Sequence, residues 1–125
     1  MQALTIADLD RDYDAIMASA DDIRAANPGS RWPDGLTKDD NLIDLAWHQR
    51  EFRARRSFSW VIENASGDYL GCLYVYPSIS GEAAARVAWW WHTGHGGSDA
   101  ELRVLLTNWL SGADWPRLDY RLQEP

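Results

Sequence analysis

Val87-Ala88-Trp89-Trp90-Trp91-His92-Thr93-Gly94-His95-Gly96-Gly97-Ser98-Asp99-Ala100-Glu101 passes from an apolar run through a glycine-rich turn into a helix start. Three consecutive indoles behind Val87 call for a strand covered on both faces, because successive side chains of a strand point to opposite sides. Trp89 and Trp91 should then project to one face and Trp90 to the other. Gly94, Gly96 and Gly97 let the chain turn where side chains would clash and leave its backbone open to close approach. Ser98, with Glu101 three residues on, predicts a capping box, with the helix's N–H groups and positive dipole end facing the turn. A phosphate would suit that corner. Glycine-rich turns also join strands to helices with no ligand involved, so Gly94–Gly97 reads either as an anion-binding corner or as a plain connection.

Around this stretch, 125 residues that are 46% hydrophobic and 25% charged suit a single domain, 1–125, with an ordinary core. The formal charge of -7 argues against a nucleic-acid partner, whose phosphates would be repelled unless basic residues were gathered on one surface. Arg50, Arg53, Arg55 and Arg56 do cluster, but at the expected end of a helix, where cations complement the dipole. No apolar run approaches the roughly 20 residues that cross a bilayer, so no membrane partner is expected. The single cysteine, Cys72, cannot form an internal disulfide, and the acidic N-terminus lacks the pattern of a secretion leader. A cytoplasmic setting follows as the expectation. Cys72, between Gly71 and Leu73, reads as a small buried apolar residue, and no zinc-ligand spacing links it to His48, His92 or His95.

Upstream, Met1–Ile6 predicts a short strand, and Leu9, Tyr13, Ile16, Ala20 and Ile23 trace the stripe of one helix from Asp8 to about Ala26, stopped by Asn27-Pro28-Gly29. Trp32 lies in the loop that follows, placed to plug the gap between two helices. Thr37 and Asp40 predict the capping box of a second helix ending near Arg55, with Leu42, Leu45, Gln49 and Phe52 on its buried side. His48, in the middle of that helix, is assigned no role. Ser57–Glu63 and Tyr69–Tyr76 read as an antiparallel hairpin joined by Asn64–Asp68, with Phe58, Trp60 and Ile62 on one face and Val61 on the other. Ala85–Thr93 is the next strand. Leu102, Leu105, Leu106, Trp109 and Leu110 stripe the last helix before Gly112, and Arg117–Leu122 is a final strand after Trp115-Pro116.

The order strand, helix, helix, hairpin, strand, helix, strand, with FSWVIENASGDYLGCLYVYP at Phe58–Pro77 and VAWWWHTGHGGSDAELRVLLTNWL at Val87–Leu110, resembles the GNAT superfamily of N-acetyltransferases. The resemblance spans most of the chain. It implies an α/β fold, a mixed, mostly antiparallel sheet with helices on both faces. It also implies that Arg86–Thr93 is the strand whose backbone pairs with the pantetheine arm of acetyl-CoA. Thr93, Gly94, His95, Gly96, Gly97 and Ser98 then correspond to the loop that grips the pyrophosphate. The family's loop begins with Arg or Gln, where this chain has Thr93. Family members also continue past the strand equivalent to Arg117–Leu122 into a further helix and two strands, which often carry the tyrosine that protonates the leaving thiolate. This chain stops at Pro125, so the expected fold lacks those elements, and either a partner supplies the equivalent surface or the chemistry is absent.

The function expected on this resemblance is transfer of an acetyl or acyl group from acyl-CoA to an amine, on a small molecule or a protein. The alternatives are a catalytically inactive GNAT-like domain that binds CoA or a protein partner, and a purely structural module. His92 is the candidate base, because it leaves the central strand where the family geometry places the thioester and because histidine is the residue type whose ordinary range spans neutral pH. It reads equally as a strand-end histidine bonded to a neighbouring carbonyl. His95 is a candidate phosphate donor, and Glu63 and Tyr74 are alternative bases on the hairpin. No metal is expected. The open edge of Arg117–Leu122, together with eight tryptophans, predicts a homodimer.

Overall fold

Among the described residues, five strands form one sheet in which spatial order follows chain order. In the computed structural model, which describes residues 1–94 and 97–124, they are β1 (Gln2–Ala3), β2 (Phe58–Glu63), β3 (Tyr69–Pro77), β4 (Ala84–Trp91) and β5 (Asp119–Leu122). Pairing is antiparallel from β1 to β4 and parallel between β4 and β5. A parallel pair needs a crossover, and α4 (Asp99–Leu110) supplies it. The preceding helices are α1 (Leu9–Ala18), α2 (Ala20–Ala26) and α3 (Lys38–Arg53).

Strand alternation divides the interior into two cores. Trp60 pairs with Leu73 and Leu73 with Trp89, and these join Leu102, Leu106 and Leu110 of α4 on one face. On the other face Val61, Cys72 and Trp90 pack with Ile16, Ile23 and Leu45 of the first three helices. The indoles of β4 thus point as their alternation requires, and helices cover both faces. Cys72 is fully buried, and that burial pushes its thiol up to about 12.

The differences from expectation lie mostly at element ends. The first strand is shorter than Met1–Ile6, because Thr5 caps a 3-10 turn, Ile6–Asp8, in a reciprocal box with Asp8. The single helix from Asp8 to Ala26 is divided at Ser19, which is buried and whose Oγ accepts the Thr93 N–H at 2.9 Å. A tertiary bond therefore holds the residue where one helix gives way to the next. The α3 capping box of Thr37 and Asp40 forms as read, but Leu42 is 39% exposed and Asn41 is buried in its place, bonded to Asp12 at 2.9 Å. In α4, Leu105 is 49% exposed, and the stripe is Leu102, Leu106 and Leu110, with Trp109 packed partly buried against them. Ser98 caps α4 through the Glu101 N–H at 3.3 Å, without the return bond of a box.

The hairpin and β4 approach so closely that a Cβ on Gly71 would lie 2.2 Å from the Trp90 carbonyl oxygen. Gly71→Ala should therefore force β3 from β4 and lower stability by about 1–3 kcal/mol, read as a fall in urea midpoint. Gly29→Ala, where a Cβ meets nothing within 4 Å, should leave the midpoint almost unchanged. Equal midpoints for the two variants would remove the close approach as a constraint.

Candidate functional site

β5 accompanies β4 only from Ala84 to Val87. The Gln123 N–H adds one more bond, to the Val87 carbonyl at 2.9 Å, and the Gln123 side chain then accepts the Trp89 N–H through Oε1 at 2.9 Å. Beyond that bond β4 runs on to Trp91 with no strand beside it on that edge, among the described residues. A cleft of about 800 Å³ opens there, bounded by Trp91, His92 and Thr93, by Asp22 and Ala26 of α2, and by Asp99 at the start of α4.

Asp99 fixes this corner. Its Oδ1 accepts the indole N–H groups of Trp89, at 2.9 Å, and Trp91, at 2.5 Å. Those bonds, Trp91's first, hold its carboxyl below the ordinary range against the opposing effect of burial, with Arg103 adding to the lowering. Arg103 lies 4.9 Å from the Trp89 ring and donates to the Gln123 carbonyl at 2.7 Å. Gly94, at φ +82°, occupies the left-handed region that favours glycine, and a Cβ on Gly97 would lie 2.0 Å from a Trp91 ring carbon. Both border the cleft. Ser98 is engaged as the cap of α4. Thr93 is also engaged, its N–H donating to Ser19 and its hydroxyl to Asp22 Oδ2 at 2.6 Å. His95 and Gly96 lie outside the described residues.

His92 borders the cleft, and its contacts to carbonyls are those of a strand-end histidine. Its N–H donates to Leu70 at 2.7 Å, and Nδ1 lies 3.1 Å from the Tyr69 carbonyl. A carbonyl only accepts, so at this contact Nδ1 is the donor. Glu63 does not border the cleft and is bonded by Arg11 at 3.4 Å. The Tyr74 hydroxyl accepts the Trp90 indole N–H at 2.9 Å.

No protein-family model matches the sequence, and no curated protein matches it. Solved structures do. RimL, a ribosomal L7/L12 alpha-N-protein acetyltransferase solved in complex with coenzyme A, superposes with a TM-score of 0.70 at 14% identity, over 91% of this chain and 64% of that one. The fold is that of the GNAT superfamily. A GNAT-family acetyltransferase from Bordetella pertussis, described as putative, aligns at 0.61 and 15% identity, over 92% of this chain and 69% of that one. A dodecameric spermidine N-acetyltransferase from Vibrio cholerae aligns at 0.50 and 16% identity, over 91% and 63%. This chain thus spans less than two thirds of the length of RimL and of the spermidine enzyme.

Within this GNAT fold, a second cavity, about 360 Å³, lies between α1, α3 and the sheet. At its base Asp12, 2% exposed, accepts the Tyr69 hydroxyl and the Asn41 amide. Burial pushes the Asp12 carboxyl up, while those two bonds oppose the rise. His48, assigned no role on sequence, lines this cavity. Its Nδ1 lies 2.9 Å from Ser59 Oγ, its ring packs against Trp47 and Tyr74, and burial pushes its imidazole down. The signal for it was the spacing Asn41, Leu45, His48, Phe52, which follows one helical face as well as the stripe that was read. Among the described residues no cluster of three or more His, Cys, Asp or Glu side chains could hold a metal ion.

Because the Asp99 carboxyl is lowered in the folded state, its contribution is present above the ordinary value of 3.8 and is lost as pH falls through the lowered folded value. Asp99→Asn, which keeps an acceptor oxygen but removes the charge, should lower the urea midpoint at pH 7. The gap from wild type should close as pH falls below about 4; a gap that persists unchanged in acid would detach Asp99 from the stability of the corner.

Proposed function

We propose that this chain transfers an acyl group from an acyl-CoA thioester to an amine. The observation that carries this is the stretch of β4 from Trp89 to Trp91, which leaves β5 and opens on the cleft. Backbone groups on such an edge require partners, and the amides of a pantetheine arm have the matching donors and acceptors. The coenzyme A in the RimL structure gives this fold a precedent for that ligand. The segment of Thr93, Gly94, His95, Gly96, Gly97 and Ser98, of which His95 and Gly96 lie outside the described residues, and the N-terminus of α4 then receive the pyrophosphate.

In the transfer, His92 Nε2 takes a proton from the acceptor's ammonium. The freed amine attacks the thioester carbonyl carbon, the C–N bond forms and the C–S bond breaks. The thiolate leaves with the bonding pair and is protonated, giving an amide and CoA thiol. Holding amine and thioester together in the cleft supplies the rest of the acceleration.

A second reading rests on charge. Asp22 and Asp99 border the corner where the phosphates would lie, no Lys or Arg borders the cleft among the described residues, and the Thr93 amide is already bonded. This arrangement suits a GNAT-fold domain that binds CoA or a protein partner without turnover. In either case a cytoplasmic setting fits the buried cysteine, and the two readings differ in the rate of transfer.

Calorimetric titration with acetyl-CoA should show micromolar binding, unchanged in His92→Ala, while transfer to an amine acceptor should fall about 100-fold or more in that variant. Transfer at the wild-type rate in His92→Ala would remove His92 as the base. Binding with no transfer from the wild type to any amine would favour the CoA-binding form of the second reading, and no binding at all would discard the transferase and leave only the protein-partner form. The proposal extends to a homodimer through β5, which has β4 on one side and no strand on the other among the described residues. Light scattering at micromolar concentration should give twice the chain mass; the mass of one chain would refute the dimer.

A further inference from the structure

The cavity beneath α1 and α3 is lined by two carboxylates, Asp12 and Asp44, and by the rings of Trp32, Trp47, Tyr74 and Tyr76. No Lys or Arg lines it among the described residues. Its one other titratable group besides the tyrosines is His48, which burial pushes toward the neutral form. Asp12 receives hydrogen bonds from neutral groups only, and no cation among the described residues lies within ion-pair distance of it. Negative charge beside aromatic faces attracts organic cations, through the carboxylate's field and the rings' quadrupoles.

The cavity also stands in line with the cleft. A third space, about 400 Å³, shares Trp32, Tyr74 and Tyr76 with the cavity, and Trp90 and Gln123 with the cleft. Ala88, between Arg86 and Trp90 on this face of β4, contributes only a methyl group to its wall. Arg86 also borders this space, its guanidinium 4.7 Å from the Tyr76 ring. Positive charge therefore stands in the passage and negative charge in the cavity, so of these two spaces a cation gains more in the cavity.

We propose that this cavity seats an organic cation without a carboxylate, and that on the acyltransferase reading this cation is a group of the acceptor other than the ammonium that His92 deprotonates. The assignment of the cation to an acceptor rests on the acyltransferase reading above; the cation site itself does not. A neutral analogue forgoes the attraction of the carboxylates and rings, and a zwitterionic amino acid brings its own carboxylate against Asp12 and Asp44.

The test uses the full chain, with phenethylammonium, 2-phenylethanol and phenylalanine as probes sharing one hydrocarbon body, followed through the indole N–H resonances. Phenethylammonium should shift those of Trp32 and Trp47 and bind at least about tenfold more tightly than the alcohol or the amino acid. Asp44→Asn, at an exposed position, should weaken it about fivefold, and Trp47→Ala about threefold. Equal binding of the alcohol and the ammonium, equal binding of phenylalanine, shifts confined to other tryptophans, or an Asp44→Asn variant that binds like wild type would each overturn the cation site. No acetyl-CoA is present, so failure here and failure of the acyltransferase reading are separate results. Success here with no acetyl-CoA binding would leave a cation site in a protein that is not an acyltransferase.

Discussion

Trp89 and Trp90 leave neighbouring positions of β4 in opposite directions, and each becomes part of the core that closes on its side of the sheet. Side chains of this width dictate what surrounds them. Gly71 meets the Trp90 carbonyl with no room for a Cβ, and Gly97 lies against the Trp91 ring under the same restriction. Ala88 keeps the strand narrow between Arg86 and Trp90. The indole N–H groups also need acceptors, and those of Trp89 and Trp91 share one carboxylate oxygen of Asp99. That sharing fastens the start of α4 to the central strand and sets the geometry of the cleft between them.

The alternation of β4, the hairpin and the division of faces were legible in the sequence because period two is a local property of the chain. The break at Ser19 was not, since the periodic apolar residues continue across it and its cause is a bond from Thr93, 74 residues away. The buried side of α3 was misread for a related reason. Asn41 counts as polar in any hydrophobic pattern, yet Asp12 satisfies it inside, and the helix rotates to bury it while Leu42 faces outward. His48 was passed over with it. Around the cleft, the sequence pattern does not disclose the bonds of Thr93 to Ser19 and Asp22 or of Asp99 to two indoles, because each joins elements distant in the chain or depends on how the Trp side chains turn.

The electrostatics of the cleft follow from that wiring. A helix N-terminus carries about half a positive charge, whereas Asp99 places a full negative one in the first turn, partly offset by two indole donors and by Arg103. The corner is therefore less cationic than its glycines and its helix start suggest. No Lys or Arg borders it among the described residues, so an anion brought there would meet backbone N–H groups rather than side-chain positive charge. The cavity between α1, α3 and the sheet is likewise lined by carboxylates and ring faces, and among the described residues neither space is bordered by a Lys or Arg.

Trp60, Trp109 and Trp115 come from β2, α4 and the segment after α4, and their ring centroids stand 5.0–5.7 Å apart with planes inclined by 67–83°. Indoles this close in a fixed, skewed arrangement share their electronic excitations, and the shared transitions rotate circularly polarised light strongly. The near-ultraviolet dichroism of the folded chain therefore includes a contribution from this trio. That optical signature belongs to the face of the sheet covered by α4, while Trp32 and Trp47 stand on the opposite face, so the chain holds separate native chromophores for its two sides.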